Sequence, residues 1–209
     1  MPKKEVPIDH LATYLPPGTG DAVTAYLQQY HVHLTIARER SSILGDYRHR
    51  TEHTNHRISV NGNLNPYSFL VTLLHELAHL LTFEKYGRRA QPHGREWKTI
   101  FGQLLQQFLN NRIFPPDIEK ELLLSLDNPA ASSCAEAGLL KALRNYDKKE
   151  KNQYMVEELP PHGLFKLKDG RVFQKGEKLR KRFKCKEIAT GKWYLFSPVY
   201  EVVDVDRES

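Results

Sequence analysis

Cysteine is scarce in this chain: its 209 residues include two, Cys134 and Cys185, far apart and outside any CxxC pair. That excludes a disulfide framework and a cysteine-ligated zinc site, and it points to a reducing, cytoplasmic setting. No apolar run of signal-segment length stands at the N-terminus, where prolines interrupt MPKKEVPIDHLATYLPPGTG, so no export is expected. The most apolar stretch, SFLVTLLHELAHLLTF, carries His75, Glu76 and His79, each expensive in lipid, so it reads as a buried core helix with no membrane partner. Apolar residues at 40% and charged residues at 27% are ordinary proportions for a globular chain, which excludes global disorder and a coiled-coil class.

Positive charge is present but unevenly placed. Residues 1 to 128 hold 14 Lys/Arg against 13 Asp/Glu, whereas residues 164 to 193 hold 11 against 3. The elements change along with the charge. DAVTAYLQQY reads as a first helix with Asp21 as its N-cap. Val32, Leu34 and Ile36 alternate with polar residues, the period of a strand, with Gly45 and the polar segment 51 to 56 as turns. A long helix follows, with its N-cap near Asn65, Pro66 in its first turn and Gly87 as its stop. The next helix presents Trp97, Ile100, Phe101, Leu104, Leu105 and Phe108 on one face, and two shorter helices lie in PPDIEKELLLSL and NPAASSCAEAGLLKALRNYDKK. Beyond DKKEKNQ the pattern becomes short strands with turns at Asp169-Gly170 and Thr190-Gly191. The expected organisation is α+β: residues 1–146, a linker at 147–156, and a basic C-terminal β module at 157–209.

Three polar side chains in the most apolar helix require an explanation, because a buried imidazole or carboxylate without partners costs a few kcal/mol. On a helix, His75 and His79 stand at i and i+4 and project from one face, with Glu76 beside them. This H-E-x-x-H geometry suits two metal-ligating histidines and a general base. A catalytic zinc needs a third protein ligand and an open position. The pattern with a further histidine six residues on is excluded by Lys85. Glu84, a glutamate of the following helix, or His93 remain as third ligands, and His93 is favoured because a helix hairpin through YGRRAQP returns it to the His75/His79 face.

HELAH followed by HGREW resembles the SprT-like (Spartan-type) zinc metalloproteases, and ISVNGNLNPYSFLVTLLHELAHLL is similar to that family's strand, loop and active-site helix. The resemblance covers about residues 20 to 110. It implies a zincin-like helical domain with a small β-sheet, one catalytic Zn2+ held by His75, His79 and His93, Glu76 as general base, and a protein substrate. It also implies DNA as a partner, with cleavage of proteins crosslinked to DNA and nucleoid association. Many members carry a C-terminal zinc ribbon. Here residues 162 to 200 resemble a ribbon without its cysteine ligands, held by Phe165, Phe173, Phe183, Trp193, Tyr194 and Phe196, or form an unrelated β unit.

Within that module Lys178, Arg180, Arg182, Lys184 and Trp193 are the candidates for nucleic-acid contact, through phosphate attraction and base stacking. The competing arrangement has Leu179 and Phe183 pointing inward and the cations merely solvating an outer face. His31 and His33, and the set His49, His53 and His56, lack an evident acidic partner and read as solvent-facing or hydrogen-bonded. Tyr86, Arg88 and Arg89 are weaker candidates for gripping substrate. The functional expectation is a zinc metallopeptidase; the competing one is a non-enzymatic nucleic-acid-binding protein whose zinc only braces two helices.

Overall fold

The apolar run after Asn65 folds as the long helix α2 (Pro66–Tyr86). Its start is fixed by the Asn65 side chain, which accepts the Ser68 N–H at 2.9 Å, and by Pro66, whose missing N–H costs nothing in a first turn. Its end is fixed by Gly87, whose φ of 63° lies in the left-handed region. The computed structural model describes residues 8–40, 42–126, 129, 136–148 and 153–205. They form two compact units, Met1–Asp147 and Lys148–Ser209, in a mixed α+β arrangement with five α-helices and two sheets.

In the first unit α1 (Gly20–Gln29) begins two residues earlier than a cap at Asp21 implies. Asp21 is not its cap. Thr19 holds that position, with its hydroxyl donating back to Pro16 O, and Asp21 sits in the first turn, where a carboxylate favours the helix dipole. Strands β1 (His33–Ala37), β2 (Gly45–Arg48) and β3 (Arg57–Asn61) form a sheet in the order β1-β3-β2, with β1 parallel and β2 antiparallel to the central β3. Gly45, which the sequence places in a turn, therefore opens a strand, and β2 is an edge strand.

Helix α3 (Arg95–Asn110) buries Trp97, Phe101, Leu104, Leu105 and Phe108 in the core that α2 fills with Phe69, Leu70, Leu73, Leu74 and Leu77. Helices α4 (Pro116–Ser125) and α5 (Ala137–Arg144) contribute Ile118, Leu122, Leu139 and Leu143 to it. No helix among the described residues is long and apolar enough to cross a membrane.

The second unit is a six-stranded antiparallel sheet in the order β4-β9-β5-β6-β7-β8, from β4 (Gln153–Met155), β5 (Leu164–Lys166), β6 (Val172–Leu179), β7 (Arg182–Glu187), β8 (Trp193–Phe196) and β9 (Glu201–Asp204). Strand β4 occupies part of the segment the sequence reads as a linker. Turns at Gly170 and Gly191 use positive φ, 88° and 71°. The core contains Phe165, Phe173, Phe183, Cys185 and Phe196, with Tyr194 partly buried against it. Trp193 is not part of that core: 55% of it is exposed. Lys175 is buried but satisfied, its Nζ donating to Glu157 O at 3.0 Å and Leu159 O at 2.5 Å. Cys185 is a free, buried thiol, whereas Cys134 lies outside the described residues.

Candidate metal centre

The helical period puts His75 and His79 on one face of α2, and the turn before α3 returns His93 to them. The Nε2 atom of His93 lies 3.2 Å from that of His75 and 3.0 Å from that of His79. All three ligand atoms fall within 4.8 Å of one another, an arrangement that can hold a metal ion. His93 reaches this position with φ 56°, in the left-handed region that histidine enters more readily than most residues other than glycine. Trp97 packs against the cluster, 4.6 Å from the His75 ring and 4.7 Å from the His93 ring, centroid to centroid.

The donor set fits a cation. A neutral imidazole has one N–H and one lone pair, so three converging Nε2 atoms cannot all be satisfied by sharing protons among themselves. A cation satisfies the three lone pairs together. Burial keeps the ligands neutral: it lowers His75 to about 3 and His79 to about 4, with the neighbouring histidines adding to the effect. His93 is also lowered, by burial and then by the Lys98 charge.

These shifts set a pH dependence whose sign follows from linkage. The unfolded chain takes up protons on these histidines below about pH 6.5, while the folded metal-free site does not until roughly pH 4 or below at His79 and His75. Their contribution to stability therefore falls as pH drops through this window. For the same reason metal uptake displaces little proton from the three histidines near neutrality. Three ordinary histidines would lose roughly 60-fold in metal affinity between pH 8 and pH 6. In Glu76→Gln protein, which removes the carboxyl titration, the expected loss over that range by competitive chelator titration is severalfold at most.

Glu76 is 5% exposed and stands against β2. Burial raises its carboxyl to about 8, with the Asp46 charge adding to this and Arg40 opposing it. The close approach depends on Gly45. A Cβ there would stand 2.6 Å from Glu76 Oε1 and 2.8 Å from Thr72 Cγ2. Gly45→Val is thus expected to displace Glu76 and destabilise the unit by about 1–3 kcal/mol, read as a lower Tm. The sequence offers for this contact only a lone glycine that reads as a turn, which does not reveal its neighbour.

Glu84, the alternative third ligand, is turned elsewhere: it accepts from Arg50 Nε at 3.1 Å and from His56 Nε2 at 3.2 Å. His56, 2% exposed, therefore has the acidic partner that the sequence does not reveal. Arg88 faces His49, with Nη2 3.2 Å from Nε2. A groove of about 680 Å³ runs from His93 along α3, lined by Arg95, Lys98, Thr99, Gln103 and Gln106 among others.

In the second unit, Arg182 and Lys184 project from one face of β7, and the Lys184 ammonium lies 4.7 Å from the Trp193 ring centroid. Lys186, paired with Trp193, continues that face. Lys178 instead lies over the Phe183 ring, at 5.7 Å, and Arg180 occupies the turn between β6 and β7 with φ 46°. The five candidate residues are therefore divided between one sheet face, a turn and the opposite face, where Lys178 pairs with Phe183.

An α+β unit whose two main helices bring three histidines and a buried glutamate together defines a protein with a candidate metal centre. Residues 20–118, which contain all four side chains, match the SprT-like family, and this segment belongs to it. The chain is 49% identical over 37 residues to Protein SprT of Vibrio parahaemolyticus serotype O3:K6 (strain RIMD 2210633), covering 17% of this chain and 22% of that protein. It is 52% identical over 31 residues to Protein SprT of Glaesserella parasuis serovar 5 (strain SH0165), covering 15% and 19%. The match thus spans about a fifth of the length of these curated relatives. No solved structure matches the chain.

Proposed function

We propose that the chain is a zinc-dependent metallopeptidase with a zincin-like first unit. The observation that carries this reading is the convergence of His75, His79 and His93 with a buried carboxylate, Glu76, next in sequence to the first ligand. Three imidazoles suit zinc and leave a coordination position open, whereas a purely structural site favours four protein ligands. When bound there, zinc supplies Lewis acidity, polarising a carbonyl and bringing the ionisation of water close to neutral pH.

The chain's own residues supply the rest. Glu76 accepts a proton from the attacking water and delivers it to the departing amine as the peptide bond breaks. Burial raises its carboxyl in the metal-free site, and the charge of a bound cation would oppose that shift and favour the carboxylate that accepts the proton. Strand β2 offers a place for an extended substrate. The Asn61 N–H bonds Leu44 O at 2.9 Å, which sets the phase of the ladder, so Gly45 and Tyr47 direct their N–H and C=O groups to the open edge. A peptide paired there would lie beside Glu76 and His79.

DNA is the proposed second partner, drawn to Arg182, Lys184 and Trp193, with Lys178 and Arg180 adding phosphate attraction. The proposed setting is the cytoplasm, with association to the nucleoid. The test is hydrolysis of an unfolded protein by wild-type, chelator-stripped and zinc-restored protein, with and without single-stranded DNA. Activity lost on stripping, regained with one equivalent of zinc and raised by DNA supports the whole reading. Hydrolysis indifferent to zinc contradicts the metal role; hydrolysis indifferent to DNA contradicts the DNA role alone.

A further inference from the structure

We propose that Tyr47 is a positioning residue for the metal ligand His79, held in place by a hydrogen-bonded relay through His56 to Glu84; this rests on the metal-centre reading above. The Tyr47 and His79 rings are nearly parallel, 3° apart with centroids 6.3 Å from each other, so the tyrosine bounds the space in which His79 can turn. Tyr47 belongs to a short edge strand, which by itself would hold a side chain loosely. Its hydroxyl is instead fixed 2.9 Å from His56 Nδ1.

The direction of the relay follows from its partners. The backbone N–H of Arg50, 3.3 Å away, can only donate, so Nδ1 of His56 is an acceptor. The ring proton is therefore on Nε2, where it is donated to Glu84 Oε1 at 3.2 Å, and the Tyr47 hydroxyl donates to Nδ1. Glu84 is anchored in turn by Arg50, from Nε at 3.1 Å and Nη2 at 3.4 Å. Glu84 lies in α2, the helix that carries His79, one turn and one residue further on. The relay thus closes a loop: α2 holds Glu84, Glu84 holds His56, His56 holds Tyr47, and Tyr47 bounds His79 on the same helix.

Outer residues that orient a metal-ligating histidine affect metal affinity by about 10–100-fold when removed. Cobalt(II) is the probe, because its visible absorption reports ligand geometry independently of catalysis. Tyr47→Phe keeps the ring and removes the hydroxyl; Glu84→Ala removes the far end of the relay; Glu84→Gln keeps an acceptor for the His56 proton. The expected result is a roughly 10-fold weaker cobalt Kd and an altered spectrum in the first two, with Glu84→Gln near wild type. The double variant Tyr47→Phe/Glu84→Ala should be no weaker than the stronger single change, since both break one chain. Unchanged cobalt affinity and spectrum in Tyr47→Phe, whatever happens to the Tm of the metal-free protein, would overturn the inference. Absence of cobalt binding by wild-type protein would overturn the metal-centre reading and this inference with it.

Discussion

Glu76→Gln is expected to leave zinc uptake at one ion per chain while lowering hydrolysis of an unfolded protein by at least about 100-fold. The substitution is nearly isosteric, so the tight fit against Gly45 is kept. An amide also suits this place better than a carboxylate when no cation is bound, because burial disfavours the charged form. The metal-free variant should therefore unfold at the same temperature as wild type or higher. Loss of activity with both zinc and stability retained assigns the effect to proton transfer. A variant that holds zinc and cleaves at the wild-type rate contradicts the role of Glu76.

The second large effect concerns His93. Zinc sites with four protein ligands have binding free energies of about 10–16 kcal/mol, or roughly 3 kcal/mol for each ligand, which corresponds to about a hundredfold in Kd. His93→Asn is the informative change, since asparagine tolerates the left-handed backbone that this position requires. It should fold, lose zinc affinity by about a hundredfold or more, and lose hydrolysis at zinc concentrations that saturate wild type. Equal zinc affinity in wild type and variant, measured by competitive chelator titration, would remove His93 from the ligand set.

What could be read in the sequence was what depends on local spacing. The pair His75 and His79 follows from the helical repeat, and the limits of α2 follow from Asn65, Pro66 and Gly87, whose chemistry acts within a turn. His93 was legible because a short helix hairpin leaves few places for it to go. The contributions of β2 were not legible in the same way. Gly45 pairs with Val60 and touches Glu76, and Tyr47 faces His79; these contacts join positions 15 to 32 residues apart through a sheet register that no local pattern specifies.

The pairing of His56 with Glu84 is hidden in the sequence for the same reason, since 28 residues separate them and only the packing of β2 and β3 on α2 joins them. In the second unit alternation alone did not assign Trp193 to a face. Its pairing with Lys186 on β7 puts it on the outer side, away from Phe183 and Cys185. Leu179, which could have pointed inward, is 43% exposed, whereas Phe183 is in the core as one of the two readings required.

The most direct test is mass spectrometry of an unfolded protein incubated in 18O-labelled water with chain carrying one zinc, with metal-free chain and with zinc-loaded Glu76→Gln. The account predicts new internal C-termini bearing one 18O atom from the zinc-loaded wild-type chain, and none above background from the other two. A wild-type chain that holds one zinc at His75, His79 and His93 and yields no labelled termini would contradict it.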